Sequence, residues 1–249
     1  PSESTSFVFR PYLKFGDGSF DQSNNFQTIR DSDSTNRGYS LSFGDNKSQQ
    51  VGGSLLYRQR LWKPGRTMTV RLKYDHSHNV VDGYNNSETN YFENNIIDST
   101  YTINQKYHQV QKSNTLGVRA SYTEPLGKNY FLQGTYSYSY EKSETSKSTF
   151  NFDKNTQKYS DLDSAYTNDY TGDFISQRAE IDLRKQEDKY NFMFGFSVQP
   201  STTKSVGRGR DTTYHVVNFA PSARLDYRFS DTKFLSIWYQ GKTGQPSLN

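Results

Sequence analysis

The sequence predicts an all-β fold, an antiparallel transmembrane β-barrel of about nine strands, and three observations carry that prediction. Apolar and polar residues alternate with period two in paired runs. Several runs reach ten residues or more, the length a membrane strand needs and about twice that of an ordinary strand. Short turns alternate along the chain with long polar connections, the asymmetry of barrels with short periplasmic turns and long extracellular loops. Composition agrees: only 31% of the 249 residues are hydrophobic, yet there are 20 Tyr, 17 Phe and 2 Trp. That mix is too aromatic for a disordered chain and too poor in aliphatic side chains for an ordinary soluble core.

The first element, SFVFRPYLKF (Ser6 to Phe15), is the least regular and contains Pro11. In the next hairpin Val51, Gly53, Leu55, Tyr57 and Leu61 alternate with Ser54, Arg58, Arg60 and Trp62. After the turn KPGR (Lys63 to Arg66), Met68, Val70, Leu72 and Tyr74 alternate with Thr67, Thr69, Arg71 and Lys73. Pro64 and Gly65 supply the turn chemistry. The cleanest hairpin sets Leu116, Val118, Ala120 and Tyr122 against Gly117, Arg119, Ser121 and Thr123, turns at EPLGKN (Glu124 to Asn129), and continues through Leu132, Gly134, Tyr136, Tyr138 and Tyr140 against Gln133, Thr135, Ser137 and Ser139. Ala179, Ile181 and Leu183 then alternate with Arg178, Glu180, Asp182 and Arg184, and KQEDK (Lys185 to Lys189) leads into Tyr190, Phe192, Phe194, Phe196 and Val198. The last hairpin places Phe219, Ala223, Leu225, Tyr227 and Phe229 against Ser222, Arg224, Asp226 and Arg228, turns at SDTK (Ser230 to Lys233), and continues through Leu235, Ile237 and Tyr239.

Between these hairpins lie stretches rich in Asn, Ser, Thr, Asp, Gly and Tyr: Gly16 to Lys47, Ser77 to Ser113, Lys142 to Asp173, and Pro200 to Thr213. Their composition predicts long loops, with GYSLSF (Gly38 to Phe43) extending a strand or pairing locally inside the first. Aromatic residues near the strand ends, Tyr57, Tyr74, Tyr122, Tyr190, Tyr227 and Tyr239, suit interfacial girdles.

The charges discriminate further. Arg58, Arg60, Arg71, Lys73, Arg119, Arg178, Arg184, Arg224 and Arg228, with Glu180 and Asp182 and Asp226, all fall on one parity, and the apolar parity is nearly free of charge. In a barrel that polar face lines a lumen, and the nine basic residues are its candidate contacts for a ligand or a plug. The bland reading is a charge network with the lumen acids. A soluble β-sandwich or carbohydrate-binding module shares period two and stands as an alternative, as does a structural or adhesive surface barrel.

Several classes are set aside. A net charge of +4 without a basic run gives no case for nucleic acid. Absence of Cys leaves neither a disulfide framework nor a thiolate site. DHSH (Asp75 to His78) puts two imidazoles on one face of an extended segment without a third ligand in sight, so a polar loop entrance is favoured over a metal site. DSDSTNRG (Asp31 to Gly38) lacks the glycine at the sixth position and the twelfth-position Glu of a calcium loop. No G-x-S-x-G elbow accompanies the four His residues, and the reading is of a non-enzyme without cofactors. NYFENN (Asn90 to Asn95) and SAYTNDYTGD (Ser164 to Asp173) are aromatic enough to stack on sugars or other planar ligands.

Three segments in order, GGSLLYRQRLWKPGRTMTVRLKY (Gly52 to Tyr74), RASYTEPLGKNYFLQGTYSYSYEKS (Arg119 to Ser143) and NFAPSARLDYRFSDTKFLSIWYQGKTGQPSLN (Asn218 to Asn249), resemble the barrel region of Bacteroidetes-type outer-membrane β-barrel proteins related to TonB-dependent receptors. The resemblance implies a larger barrel, typically of 22 strands, with an N-terminal plug, placed in the outer membrane and coupled to a TonB complex for import of a bulky nutrient such as a siderophore or oligosaccharide. Residues 1–249 are then part of the barrel domain, with the plug and the remaining strands outside them. The expected partners are outer-membrane lipid, the plug and TonB, an imported small-molecule substrate and, as a candidate, a surface lipoprotein. GKTGQPSLN (Gly241 to Asn249) resembles the approach to a further external loop.

Overall fold

A computed structural model describes residues 4–30, 33–93, 96–207 and 209–241. They form ten strands: β1 (Thr5–Arg30), β2 (Asp33–Arg60), β3 (Thr67–Glu93), β4 (Ile96–Gly127), β5 (Tyr130–Asp153), β6 (Lys158–Leu162), β7 (Asn168–Gln186), β8 (Tyr190–Gly207), β9 (Arg210–Ser230) and β10 (Lys233–Gln240). All belong to one antiparallel sheet in the order β1-β2-β3-β4-β5-β7-β8-β9-β10, with the short β6 paired to β5 off that path. The path thus holds the nine strands that the alternation predicts. Among the described residues β1 and β10 are the two edge strands. Pro11, which has no N–H to give to a ladder, is accommodated because it sits on an edge strand, opposite Gly53.

The long polar connections are present as long hairpins, but their backbone is strand and not loop. Pairing of β1 with β2 runs from Thr5↔Gln59 to Arg30↔Asp33, so the stretch from Gly16 to Lys47 is ladder except for residues 31–32, which lie outside the described residues. GYSLSF is part of β2 and pairs on both sides, with β1 and β3. Ser77 to Ser113 belongs to β3 and β4, paired from Thr67↔Thr123 to Glu93↔Ile96, except for residues 94–95, which lie outside the described residues. Part of DSDSTNRG, the end of NYFENN and all but the first residue of GKTGQPSLN lie outside the described residues. Lys142 to Asp173 continues β5, turns into β6 and returns as β7, while Pro200 to Thr213 completes β8 and opens β9. At about 3.3 Å per residue, the 32 residues of β4 span roughly 105 Å, more than three times the hydrocarbon thickness of a bilayer.

The register fixes which residues share a face. Leu55↔Leu72, Leu72↔Val118, Val118↔Tyr138, Leu132↔Leu183, Leu183↔Phe194 and Phe192↔Leu225 carry one apolar face across seven strands. That face is open: Ile181 is 63% exposed and Phe194 60%. Every buried residue among those described lies on the opposite, polar face, including Leu56, Gln105, Tyr107, Thr135, Thr149, Asp182, Ser197, Ala220 and Ser222. Asp182 is only 5% exposed and Ser197 only 2%. Among the described residues no second sheet covers either face. A soluble sandwich hides its apolar face and wets its polar one. Here the order is inverted.

The apolar face is bounded in height. On β1 it runs from Phe7 to Phe15 and ends at Asp17; on β3 it runs from Met68 to Tyr74 and ends at His76; on β9 it runs from Tyr227 to Val217 and ends at His215. Seven to eleven residues at about 3.3 Å, tilted by about 40°, give a band roughly 18–28 Å tall, a range that includes the roughly 25 Å of the outward apolar band of membrane barrels. Tyr74 is therefore not near a strand end, as the girdle reading has it, but at the upper limit of the band within β3.

Below the band the hairpins close in tight turns. β2 ends at Arg60, so Leu61 and Trp62 belong to the turn and not to the alternation; Leu61 N–H donates to Arg66 O at 3.0 Å and Arg66 N–H to Lys63 O at 2.9 Å. Gly65 is left-handed (φ +84°) and lies against Phe131 of the neighbouring hairpin. Glu124 clasps the two turns together: Arg66 Nε donates to it at 2.6 Å, Arg66 Nη2 at 2.7 Å, Lys63 Nζ at 2.9 Å and the Tyr122 hydroxyl at 2.8 Å. The Arg66 guanidinium, then Lys63 and Tyr122, hold the Glu124 carboxyl down at about 2. Arg66 also covers the Trp62 ring at 4.8 Å. At the next turn Lys185 plays the same part, 5.1 Å from the Tyr130 ring and hydrogen-bonded to the Tyr190 hydroxyl at 2.9 Å.

Candidate functional site: a cationic row on the polar face

The nine basic residues that the alternation singles out lie on the same face of the sheet. Arg58 and Arg60 come from β2, Arg71 and Lys73 from β3, Arg119 from β4, Arg178 and Arg184 from β7, and Arg224 and Arg228 from β9. Their registers tie them together through Arg58↔Thr69, Arg60↔Thr67, Lys73↔Gly117, Arg184↔Met193, Met193↔Arg224 and Phe234↔Arg228.

Three of them have local carboxylate partners. Lys73 pairs with Asp75, which also accepts from the Tyr12 hydroxyl. Arg178 Nη2 reaches Glu180 at 2.9 Å, and Arg224 Nε reaches Asp226 at 2.8 Å while the Ser236 hydroxyl donates to the other oxygen of Asp226 at 2.6 Å. Each pair is two residues apart on one strand, where consecutive side chains of a face are neighbours. The charge network expected from the sequence thus exists, but it is local and incomplete.

The remaining arrangement is the informative one. Arg71 and Arg119 are directly opposite each other, and the same row continues through Ser137 to Arg178. Leu56 precedes Arg71 in that row, so no carboxylate interrupts it from β2 to β7. Like charges directly opposite on a sheet cost stability. Arg71 and Arg119 stand at interstrand spacing, with Arg178, itself paired to Glu180, two strands further on; guanidiniums so placed suit an anionic or strongly acceptor-rich surface. Below the row, Asp182 is buried between Gln133 and Gly195, and its Oδ1 has no hydrogen-bond partner among the described residues. A Cβ on Gly195 would come within 2.0 Å of that oxygen, so Gly195 is the residue that makes room for it.

Other sequence candidates fall elsewhere. His76 and His78 are on the apolar face just above the band, where His76 Nδ1 bonds Asn114 Oδ1 at 2.8 Å. His108 and His215 share that face, bonded to Asp82 and to Thr202. Among the described residues no cluster of three or more His, Cys, Asp or Glu could hold a metal. SAYTNDYTGD divides: Ser164 to Thr167 form a turn, bound through Asp163 to the amides of Ala165 and Tyr166, and Asn168 to Asp173 open β7. The alternation missed Leu56, which sits on the polar parity and is buried there, and Tyr12, whose ring reaches across Gly52 to Asp75. A glycine on the same face as a tyrosine in the neighbouring strand is the available signal, and it repeats where the Tyr107 ring covers Gly83.

No protein-family model matches the chain, and no curated protein matches it. Among solved structures it is similar to the ferripyoverdine receptor of the outer membrane of Pseudomonas aeruginosa, at 12% identity and a TM-score of 0.41, over 96% of this chain and 42% of that one. It is similar to the ferric citrate transporter FecA at 10% identity and a TM-score of 0.41, over 95% and 44% of the two chains. For the ferric-catecholate import receptor Fiu from E. coli K12 the values are 9% and 0.42, over 96% and 50%. The chain spans half or less of the length of each of these structures.

Proposed function

We propose that this chain is part of the barrel domain of an outer-membrane receptor that imports a bulky nutrient, with the apolar face against lipid and the polar face toward a lumen. The observation that carries the reading is the inversion of the sheet: exposed Phe194, Phe196, Ile181 and Leu72 on one side, buried Thr135, Asp182, Ser197 and Ser222 on the other. Exposing that many large apolar side chains in water has no compensating term, and hydrocarbon supplies one at roughly 25 cal/mol per Å². In this reading the row Arg71, Arg119 and Arg178 and the other lumen cations meet a plug or the passing substrate. Coupling to a plug moved by TonB, and the siderophore or oligosaccharide class of substrate, follow from the resemblance of the three sequence segments to TonB-dependent receptor relatives. The chemistry required is binding and release, with no covalent step.

The test is solvent dependence followed by uptake. The protein is expected to fold cooperatively only in detergent or lipid and to partition with outer membranes on fractionation. A monomeric, cooperatively folded chain in plain buffer would sink the reading. Uptake that stops when the proton gradient is collapsed supports coupling to TonB, and uptake indifferent to it removes that part.

A further inference from the structure

About eight residues up β4 from Arg119, the polar face hollows into a recess of about 1040 Å³ that spans β4, β5, β7, β8 and β9. We propose that this recess binds an uncharged, polyhydroxylated chain, an oligosaccharide, so the inference rests on the uptake reading and names its substrate class.

Tyr170 provides the platform. Its register partner on β8 is Gly207, and Gly172 follows two residues on along the same face. A Cβ on Gly172 would lie 2.9 Å from the Tyr170 hydroxyl oxygen, and one on Gly207 would lie 3.4 Å from its Cδ2. The ring therefore lies along the sheet over two glycines and lines the recess with a broad π-face. Tyr214, 55% exposed, stands at the β9 end. Aromatic rings with a polar tip suit a sugar, whose C–H face is apolar and whose edge is all hydroxyls.

The rest of the lining is hydroxyl and amide. The row through Tyr170 is Gln111, Thr145, Tyr170, Gly207 and Arg210, and the row beneath it continues Ser143, Gly172, Ser205 and Thr212. Among the described residues the side chains of Gln111, Ser143, Thr145, Ser205 and Thr212 make no hydrogen bond to protein, and Asn168 Oδ1 is buried in the recess wall without a partner. These are donors and acceptors left for a ligand that offers both, as a hydroxyl does. No carboxylate lines the recess, and Arg210 is its one cation among the described residues. An anionic metal chelate would find far more charge in the arginine row below. Four interstrand steps of about 4.8 Å make the recess roughly 19 Å long, which suits a chain of several sugar rings better than a compact ligand.

The experiment titrates the full-length protein carrying this chain, in detergent micelles, with malto-, cello-, xylo- and mannohexaose and with ferric citrate, by calorimetry. At least one hexasaccharide is expected to bind, with affinity falling at least about tenfold in Tyr170→Ala and staying within about threefold in Tyr170→Phe. Gly172→Val, which lifts the ring, is expected to weaken binding while heat-modifiable gel migration shows the variant folded. Failure of all four hexasaccharides to bind, or binding indifferent to Tyr170→Ala and Gly172→Val, overturns the proposal. So does binding of ferric citrate that Tyr170→Ala abolishes, and in that case the uptake reading survives. A protein that is monomeric and folded without detergent overturns both.

Discussion

The lower third of the sheet and the tall ribbon above it are continuous in hydrogen bonding and unlike in chemistry. From Phe7 to Phe15 on β1, or Met68 to Tyr74 on β3, every second residue is apolar and, Val8 apart, the residues between are polar or charged. From Asp17 to Arg30, or His76 to Glu93, Asn, Ser, Asp and Thr appear on both faces and aromatic residues are scattered. The lower region is built for two different solvents, one on each side, and the upper region for one. Burial follows the polar face and not this division: Thr135, Ser197 and Ala220 are buried in the lower region and Gln105, Tyr107 and Thr149 in the upper one, whereas the edge strand β1 is largely exposed above the band.

The largest expected effect tests that division directly. Phe194→Arg, at the middle of the apolar band, is expected to destabilise the membrane-folded protein by about 2–4 kcal/mol, whereas Val110→Arg on the same face of the ribbon is expected to cost no more than about 0.5 kcal/mol. Reversible urea unfolding in lipid vesicles measures both, and equal costs would erase the distinction. Next comes Gly195→Val, whose new side chain meets Asp182 and Ser222 on the polar face. A loss of about 1–3 kcal/mol in the same assay is expected from overpacking.

Within the ribbon, stability comes from rings and not from a lipid boundary. Phe43 stacks on Tyr84 at 5.1 Å, and Tyr84 meets Tyr159 edge-on at 5.4 Å. Tyr84→Ala is expected to cost the ribbon about 0.5–1.5 kcal/mol, read as faster amide exchange in β2, β3 and β6 with the band unchanged. Arg119→Gln runs the other way: relieving the opposition to Arg71 is expected to stabilise the sheet by about 0.2–1 kcal/mol while weakening retention of an anionic partner in a pull-down. The smallest effect belongs to the Glu124 clasp. Because its folded pKa is depressed, its contribution is full above the ordinary carboxylate range and is lost as pH falls from about 4.5 toward about 2. Glu124→Gln is expected to flatten that limb of the stability profile, and an unchanged acid limb would show that the clasp does not matter.

The same division explains what could be read from the sequence. Alternation is a record of two unlike surroundings, so the hairpins around KPGR, EPLGKN, KQEDK and SDTK were legible, as was the shared face of all nine basic residues. Gly16 to Lys47 and Ser77 to Ser113 lie above the apolar band, so nothing forces a period of two, and Asn, Ser and Gly there look like loop although nearly all the described residues belong to the ladder. The opposition of Arg71 and Arg119, and the placing of Tyr170 over Gly172 and Gly207, depend on register between strands far apart in sequence. No run of consecutive residues records them.

The order of the sheet has a kinetic consequence. From β1 to β5 and from β7 to β10 each strand pairs with the one that follows it in the chain, and the single skip, from β5 to β7, encloses only the five-residue β6. Such a sheet can grow by zipping one hairpin onto the last, so each step closes a loop of modest length and none waits for distant parts of the chain to meet. Refolding into vesicles should then advance as an ordered series of hairpins, with protection spreading outward from the short turns.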